Sequence, residues 1–231
     1  MIPWTLLDRA AVPGSRDEMR LYQRGDEFSI RVANYELMNS RVHGSEEALS
    51  ELAWKKIGDR PKPRVLIGGL GLGYTLAAVL RLAGPKAQVV VAELVPEVVE
   101  WNRGPLAALA GHPLDDPRVT VRVADVGAII REERDGFDAI LLDVDNGPQA
   151  LTSEDNHRLY DLAGLRATQK ALRDGGVLGI WASGPDPAFV AKLRQLGFAV
   201  DEVRARARGD RGKARYVIWI AERPKERAQR A

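Results

Sequence analysis

Residues 64–93, RVLIGGLGLGYTLAAVLRLAGPKAQVVVAE, contain the pattern that decides the fold of this chain. An apolar run leads into a turn with glycines at 68, 69, 71 and 73, and a helix-like segment and a second apolar run follow, ending in Glu93. Glycine lets the backbone approach a ligand closely, and a helix N-terminus offers unpaired N–H groups. A carboxylate at the end of the second strand can accept hydrogen bonds from a ribose diol. The stretch therefore predicts a strand–turn–helix–strand unit that binds a nucleoside.

The spacing of the glycines narrows the class of nucleoside. Gly69, Gly71 and Gly73 follow the pattern G-x-G-x-G, whereas dinucleotide-binding folds use G-x-G-x-x-G. Tyr74 and Thr75 follow where a P-loop would need Lys-Ser or Lys-Thr, so a P-loop is excluded. The tighter spacing is typical of Rossmann-like enzymes that use S-adenosylmethionine. An NAD-dependent enzyme and a turn that only packs a helix on a strand stay open as alternatives.

Length and composition exclude several classes of protein. The 231 residues are enough for one large domain with a substantial core. No apolar run approaches the roughly 18 residues of a membrane-spanning helix, and the N-terminus lacks the features of a secretory signal. The sequence contains no cysteine, which excludes disulfides and cysteine-ligated metals. We expect a cytoplasmic protein without a membrane partner.

The charges give little reason to expect a nucleic-acid partner. The net charge is only +2, and the basic residues that cluster between 204 and 215 alternate with alanine as on one solvated face of a hairpin. An anionic substrate or an RNA surface is the alternative for this cluster. His112 and His157 have no metal-ligand spacing, so we expect no metal site.

The order of elements predicts a Rossmann-like, doubly wound α/β fold with a seven-stranded sheet of the class I methyltransferase type. We expect an N-terminal hairpin at 19–24 and 27–33, a helix at 45–57 capped by Ser45, strands near 64–68, 87–93, 118–123, 137–143 and 176–181, a helix at 186–196, and a final antiparallel pair at 199–207 and 214–221. The predicted organisation is an N-terminal β segment (1–44), a catalytic domain (45–223) and a disordered tail (224–231).

Acidic residues follow three of the predicted parallel strands. Glu93, Asp125 and Asp143 fall at carboxyl ends of strands, where ligands bind in such sheets. The alternative for Asp125 is a helix N-cap, because it directly precedes VGAIIREER. Asp143 ends an apolar strand and is followed by Asp145 and a glycine turn, which favours a functional role over a structural one.

On these motifs the chain resembles the spermidine synthase family, a branch of the class I S-adenosylmethionine-dependent transferases. The resemblance spans roughly residues 19–182 and rests on LMNSRVHGSEEAL, VLIGGLGLG, VVVAELVPEVVEWNR, RVTVRVAD, FDAILLDVDNGP and ALRDGGVLGIW. It implies that Glu93 binds the ribose hydroxyls, that Asp125 and the backbone of Val126 contact the adenine, and that Asp143 is the catalytic aspartate. It also implies a homodimer.

The chain departs from the family pattern at three places. Gly71 stands where the synthases have the aspartate of G-G-G-D-G-G, which grips the terminal ammonium of decarboxylated S-adenosylmethionine. Without that aspartate, we expect the carboxylate of intact S-adenosylmethionine to be tolerated. Ser45-Glu46-Glu47 replaces Tyr-His-Glu, and the D-x-x-D pair becomes Asp143-Val144-Asp145-Asn146.

We therefore predict a transferase that uses S-adenosylmethionine and most simply methylates a small acceptor, with Asp143 as its catalytic residue. An amine is among the candidate acceptors. The candidate substrate residues are His43, Glu46, Glu47, Asp145, Asn146 and Tyr160. A polyamine aminopropyltransferase that uses decarboxylated S-adenosylmethionine and a non-catalytic adenosyl-binding protein stay open as alternatives.

Overall fold

The computed structural model describes residues 2–14, 17–144, 147–149, 158–205 and 216–225. Its N-terminal part is a four-stranded antiparallel sheet, β1 to β4 in chain order, formed by Thr5–Ala11, Glu18–Arg24, Glu27–Val32 and Tyr35–Asn39. The predicted hairpin corresponds to β2 and β3, and its turn contains Gly25 at a φ of 59°. Flanking strands, which the sequence analysis did not predict, extend the hairpin on both sides.

The second sheet has seven strands in the order β10-β11-β9-β8-β5-β6-β7. They are Arg64–Gly68 (β5), Gln88–Glu93 (β6), Val119–Val123 (β7), Phe137–Leu142 (β8), Leu172–Ala182 (β9), Ala199–Ala205 (β10) and Tyr216–Glu222 (β11). Strands β5 to β9 pair in parallel, and β11 runs antiparallel between β9 and β10. This arrangement confirms the predicted fold class.

The six α-helices that lie wholly within the described residues cover the two faces of this sheet. They are Gly44–Ile57 (α1), Tyr74–Leu82 (α2), Pro96–Arg103 (α3), Val126–Glu132 (α4), Leu162–Ala171 (α5) and Pro187–Gln195 (α6), with 3-10 turns at Ala107–Ala110, Pro113–Asp115 and Gly147–Gln149. One core cluster combines Leu141 with residues of α1 to α3, and the other combines Ile140 with residues of α4 to α6. Neighbouring residues of β8 therefore point to opposite faces, as in a strand buried on both sides.

Local hydrogen bonds explain where the helices begin. Asp125 accepts from the N–H of Ala128 (2.7 Å) and caps α4, as the structural alternative predicted. The expectation that Ser45 caps α1 is wrong, because His43 occupies the cap position and Ser45 lies inside the helix. The hydroxyl of Ser45 donates instead to Oε2 of Glu46 (2.6 Å).

A buried ion cluster ties the amino-terminal ends of the central strands together. Asp138 of β8 is 1% exposed and is paired with the guanidinium groups of Arg60 and Arg173. Its Oδ2 also accepts from the backbone N–H of Arg64 (2.7 Å). These contacts fix β5 beside β8 and so align the opposite ends of the two strands.

Two expectations concern parts of the chain that the structure only partly describes. Residues 206–215 of the basic cluster and residues 226–231 of the predicted tail lie outside the described ranges. Across the described ranges, none of the helices has the length and apolar character needed to cross a membrane.

Candidate active site

The glycine turn between β5 and α2 needs glycine for both conformation and space. Gly69, Gly71 and Gly73 have φ values of 87°, 52° and 83°, which side chains rarely tolerate. A Cβ atom on Gly69 would lie 2.5 Å from the carbonyl oxygen of Asp143. The turn therefore brings the end of β5 into direct contact with the end of β8.

Glu93 at the end of β6 holds this turn in place. Its Oε2 accepts from the N–H of Leu70 and its Oε1 from the N–H of Val95, both at 2.9 Å. Burial raises the pKa of Glu93, and the backbone hydrogen bonds only partly offset that effect. The backbone N–H groups of Leu94 and Gly71 contribute to the same stabilisation of the carboxylate.

The predicted cofactor residues meet at one cavity, which we call the nucleoside cavity. Its lining includes Gly69, Gly71, Glu93, Asp125, Val126 and Asp143. Gly73 is not among these residues, because it lies at the N-cap of α2, where a Cβ would approach Oδ1 of Asn102 to 3.0 Å. Five of the six predicted cofactor residues and Asp143 thus line one cavity, and their binding of a cofactor stays a prediction.

The N-terminal sheet supplies another wall of the nucleoside cavity, which the sequence analysis missed. This wall consists of Val12, Met19, Ile30, Val32, Leu37 and Met38. The sulfur of Met38 lies 3.0 Å from the point where a Cβ on Gly71 would be. Met38 therefore packs beside Gly71 and leaves little space there for a side chain.

A second cavity adjoins the nucleoside cavity. Leu37, Met38, Gly71 and Asp143 line both cavities, so they mark the boundary between them. The second cavity is further lined by Glu46, Leu70, Leu72, Tyr74, Thr75 and Trp181. Two acids therefore face this cavity, and none of the described residues that line it is a lysine, arginine or histidine.

Asp143 stands at the boundary between the cavities. Its Oδ2 accepts a hydrogen bond from the hydroxyl of Thr75 (2.6 Å), and its backbone N–H donates to the carbonyl of Gly68 (3.0 Å). Burial at the end of β8 raises the pKa of Asp143 despite the hydrogen bond from Thr75. The carboxylate is thus oriented but lacks a counter-ion among the described residues.

Glu46 faces the second cavity from the first turn of α1. Burial, with repulsion by Asp143 as the next cause, raises the pKa of Glu46 to about 7. The hydrogen bond from Ser45 opposes this rise and does not cancel it. Two carboxylates in this arrangement favour either a bound proton or a bound cation.

Three of the other candidate substrate residues lie outside both cavities. His43 stacks on Tyr74 with ring centroids 4.2 Å apart. Glu47 turns towards Arg81, whose guanidinium nitrogen is 3.3 Å from its carboxylate. Tyr160 is buried edge-on against Phe189, 5.7 Å between ring centroids, in the core cluster of helices α4 to α6.

The remaining two candidates, Asp145 and Asn146, lie outside the described residues. The structure adds Thr75, Tyr74 and Trp181, which the sequence analysis did not assign to the site. The hydroxyl of Tyr74 donates to the carbonyl of Ser40 (3.1 Å), whereas the buried indole N–H of Trp181 has no hydrogen-bond partner in the described part of the chain. No group of three or more metal-ligating side chains occurs among the described residues.

Residues 44–185 match the family model described as the spermine/spermidine synthase domain. A polyamine aminopropyltransferase of Mycobacterium tuberculosis is 29% identical over 193 residues, which are 80% of this chain and 34% of that protein. Polyamine aminopropyltransferase 1 of Streptomyces coelicolor is 31% identical over 170 residues, 73% of this chain and 29% of that protein. The chain thus spans about a third of the length of these curated relatives.

A solved spermidine synthase structure has the same fold as this chain. The crystal structure of spermidine synthase from Thermotoga maritima superposes with a TM-score of 0.72 at 18% sequence identity. The superposition covers 96% of this chain and 74% of that chain. It therefore includes the N-terminal sheet as well as the seven-stranded sheet.

Proposed function

This chain belongs to the spermine/spermidine synthase domain family, and from that premise we propose that it transfers an aminopropyl group from decarboxylated S-adenosylmethionine to an amine. The relatives it matches are named as polyamine aminopropyltransferases. They favour this alternative over methyl transfer, which the sequence analysis preferred and which the comparisons do not support.

The observation that carries the proposal is the charge of the second cavity. Asp143 and Glu46 face it without a cationic side chain among the described lining residues. A buried carboxylate is costly unless it is paired, and an ammonium group supplies the missing positive charge. A neutral hydroxyl acceptor would leave both carboxylates without a counter-ion.

The nucleoside cavity fits the adenosyl part of the donor. Glu93 offers carboxylate oxygens to a ribose diol, and Asp125 keeps Oδ2 free of hydrogen bonds within the described chain because its contacts fall on Oδ1. Val126 contributes an apolar wall. When bound, the donor supplies a carbon that is activated by its attachment to a sulfonium.

The same geometry disfavours a donor that carries a carboxylate. Met38 fills the space beside Gly71, and Asp143 lies at the same boundary. A carboxylate placed there would meet like charge with no cation to compensate it. Loss of an aspartate at position 71 therefore does not make the site suitable for intact S-adenosylmethionine.

Asp143 is the proposed catalytic residue. It lies between the two cavities, where an amine in one would meet a reactive carbon in the other. The hydrogen bond from Thr75 orients its carboxylate, and its raised pKa brings its proton affinity closer to that of a base working near neutral pH. Positioning the amine and accepting its proton are the two tasks required of it.

The test is a transfer assay with decarboxylated S-adenosylmethionine and 1,4-diaminobutane, with products identified by mass spectrometry. We expect aminopropylated diamine, and a loss of at least about 100-fold in rate for Asp143→Asn. Glu47→Gln is the matched control, because Glu47 lies outside both cavities, and we expect it to retain activity. Methylation by intact S-adenosylmethionine without aminopropyl transfer, or undiminished turnover by Asp143→Asn, would refute the proposal.

Organisation and location also belong to the proposal. We propose that residues 1–44 and 45–223 work as one catalytic unit, because strands β1 to β4 contribute a wall of the nucleoside cavity. The outer strands β1 and β4 of that sheet are each paired on one side only within the described chain, and a homodimer would cover an exposed edge of this kind. The expected location is the cytoplasm.

A further inference from the structure

Glu46 and Asp143 hold different positions relative to the two cavities. Asp143 lines both cavities, whereas Glu46 lines only the second one. An acceptor held in the second cavity with its nitrogen at Asp143 therefore lies in the cavity that Glu46 lines. This places Glu46 where it can influence which acceptor binds.

We propose that Glu46 and Asp143 together form one ammonium site, in which a proton replaces the ammonium when no acceptor is bound, and that Glu46 is a specificity-determining residue for primary amines. This inference rests on the proposed function in one respect, which is that the bound ammonium is that of the acceptor amine. The site itself follows from the arrangement of the cavity.

The groups around Glu46 leave its negative charge without a cation. On its own helix, Ser45 donates a hydrogen bond and Glu47 adds a further negative charge. Across the cavity lie Asp143 and, on α2, Tyr74, which is neutral near pH 7. His43 contacts Tyr74 and Glu47, and Arg81 pairs with Glu47. A proton is therefore the only positive charge that the described residues leave to the pair.

The rest of the second cavity suits an alkyl chain. Leu37, Met38, Leu70, Leu72 and Trp181 provide apolar surface around the two carboxylates. A primary amine on a short carbon chain satisfies the carboxylates and the apolar wall together.

The pair also provides the proton acceptor for transfer. The bound ammonium gives one N–H proton to a carboxylate oxygen of the pair, and the nitrogen lone pair then forms the new C–N bond to the donor carbon. The C–S bond breaks with its electron pair going to sulfur, which leaves as a neutral thioether. The two carboxylates therefore gain one proton in this step and are otherwise unchanged.

Calorimetric binding of n-propylamine and 1,4-diaminobutane at pH 6 and pH 8 tests the inference without turnover. An ammonium must displace the proton of the pair, so we expect the wild-type affinity for both amines to rise between these pH values. Glu46→Gln should bind both amines at least about tenfold more weakly at pH 8 and lose most of the rise with pH. Glu47→Gln should change both amine affinities less than about threefold and keep the rise with pH, because Glu47 lies outside the cavity and has the smallest effect on Glu46.

The outcomes separate this inference from the proposed function. Equal amine affinity of Glu46→Gln and wild type at pH 8, or equal losses in Glu46→Gln and Glu47→Gln, would overturn the ammonium site. Binding of amine that depends on Glu46, in a protein that transfers no aminopropyl group, would uphold the ammonium site and refute the proposed reaction.

Discussion

Replacing Glu46 by glutamine should stabilise the ligand-free protein, and the gain should depend on pH. Folding raises the pKa of Glu46 from its ordinary value of 4.5 to about 7. Below the lower value the side chain is protonated in both the folded and unfolded states, so its titration has no effect on stability. Above the higher value it is ionised in both states, and the folded state carries the full cost of the buried charge. Glutamine removes that cost while preserving the size of the side chain.

The magnitude follows from the difference between the two pKa values. Each tenfold change in proton affinity corresponds to about 1.4 kcal/mol, which sets a ceiling of about 3 kcal/mol at pH 8. Solvent in the cavity screens part of this cost, so we expect a gain of about 1–3 kcal/mol in the free energy of unfolding. At pH 4 we expect no gain.

Denaturant unfolding at pH 4, 6 and 8 measures this effect directly. The control is Glu47→Gln, one residue along the same helix, which turns towards Arg81 and should change stability little at any of these pH values. Destabilisation by Glu46→Gln at pH 8, or a gain of equal size at pH 4 and pH 8, would refute the electrostatic reasoning. If Glu46 serves binding rather than folding, replacing its carboxylate is expected to stabilise the protein.

Three further predictions concern other parts of the structure. Glu93→Gln should weaken binding of 5′-methylthioadenosine at least about tenfold, because an amide offers one acceptor oxygen where the carboxylate offers two; unchanged affinity would mean that Glu93 does not bind the ribose. Asp138→Ala should cost about 1–3 kcal/mol in denaturant unfolding, since it leaves the backbone N–H of Arg64 and the partly exposed guanidinium groups of Arg60 and Arg173 without their acceptor, and an unchanged free energy of unfolding would contradict this. Trp181→Phe should change the free energy of unfolding by less than about 1 kcal/mol, because removal of an N–H that has no partner among the described residues offsets the packing lost against Tyr216; a loss above about 2 kcal/mol would contradict this.

The seven-stranded sheet could be predicted closely from the sequence because its signals are local. Strand β5 was predicted with its observed bounds, and the runs that form β6 and β8 are apolar throughout, as doubly covered strands require. The positions of Glu93, Asp125 and Asp143 at the carboxyl-terminal ends of β6, β7 and β8 follow from the same reasoning. In a parallel sheet, the place of each strand end determines which side chains meet.

The walls of the two cavities could not be predicted in the same way. Met38 belongs to β4 of the N-terminal sheet and Trp181 to β9 of the seven-stranded sheet, so they are far apart in the sequence. Only the packing of the N-terminal sheet on the glycine turn brings Met38 against Gly71. The expectation that the site tolerates a carboxylate was drawn from Gly71 alone, and the structure adds Met38 beside it. A missing side chain leaves open space only when no neighbour fills it.

The different roles of the neighbouring residues Glu46 and Glu47 could not be predicted from the sequence either. Glu46 and Glu47 are adjacent in the first turn of α1, yet one faces the second cavity and the other faces Arg81. Consecutive helical residues point about 100° apart, so the helix rotation decides which of them reaches the cavity. That rotation is fixed by tertiary packing of α1, and the motif itself carries no signal for it.

The central claim is that this site takes a donor without a carboxylate. Calorimetric titration of the purified chain with decarboxylated and intact S-adenosylmethionine, side by side at pH 8, tests it most directly. We predict that the decarboxylated form binds at least about tenfold more tightly, a difference of about 1.4 kcal/mol, because the boundary beside Asp143 is negative and Met38 fills the space at Gly71. Equal or tighter binding of intact S-adenosylmethionine would contradict aminopropyl transfer and restore methyl transfer as the better account.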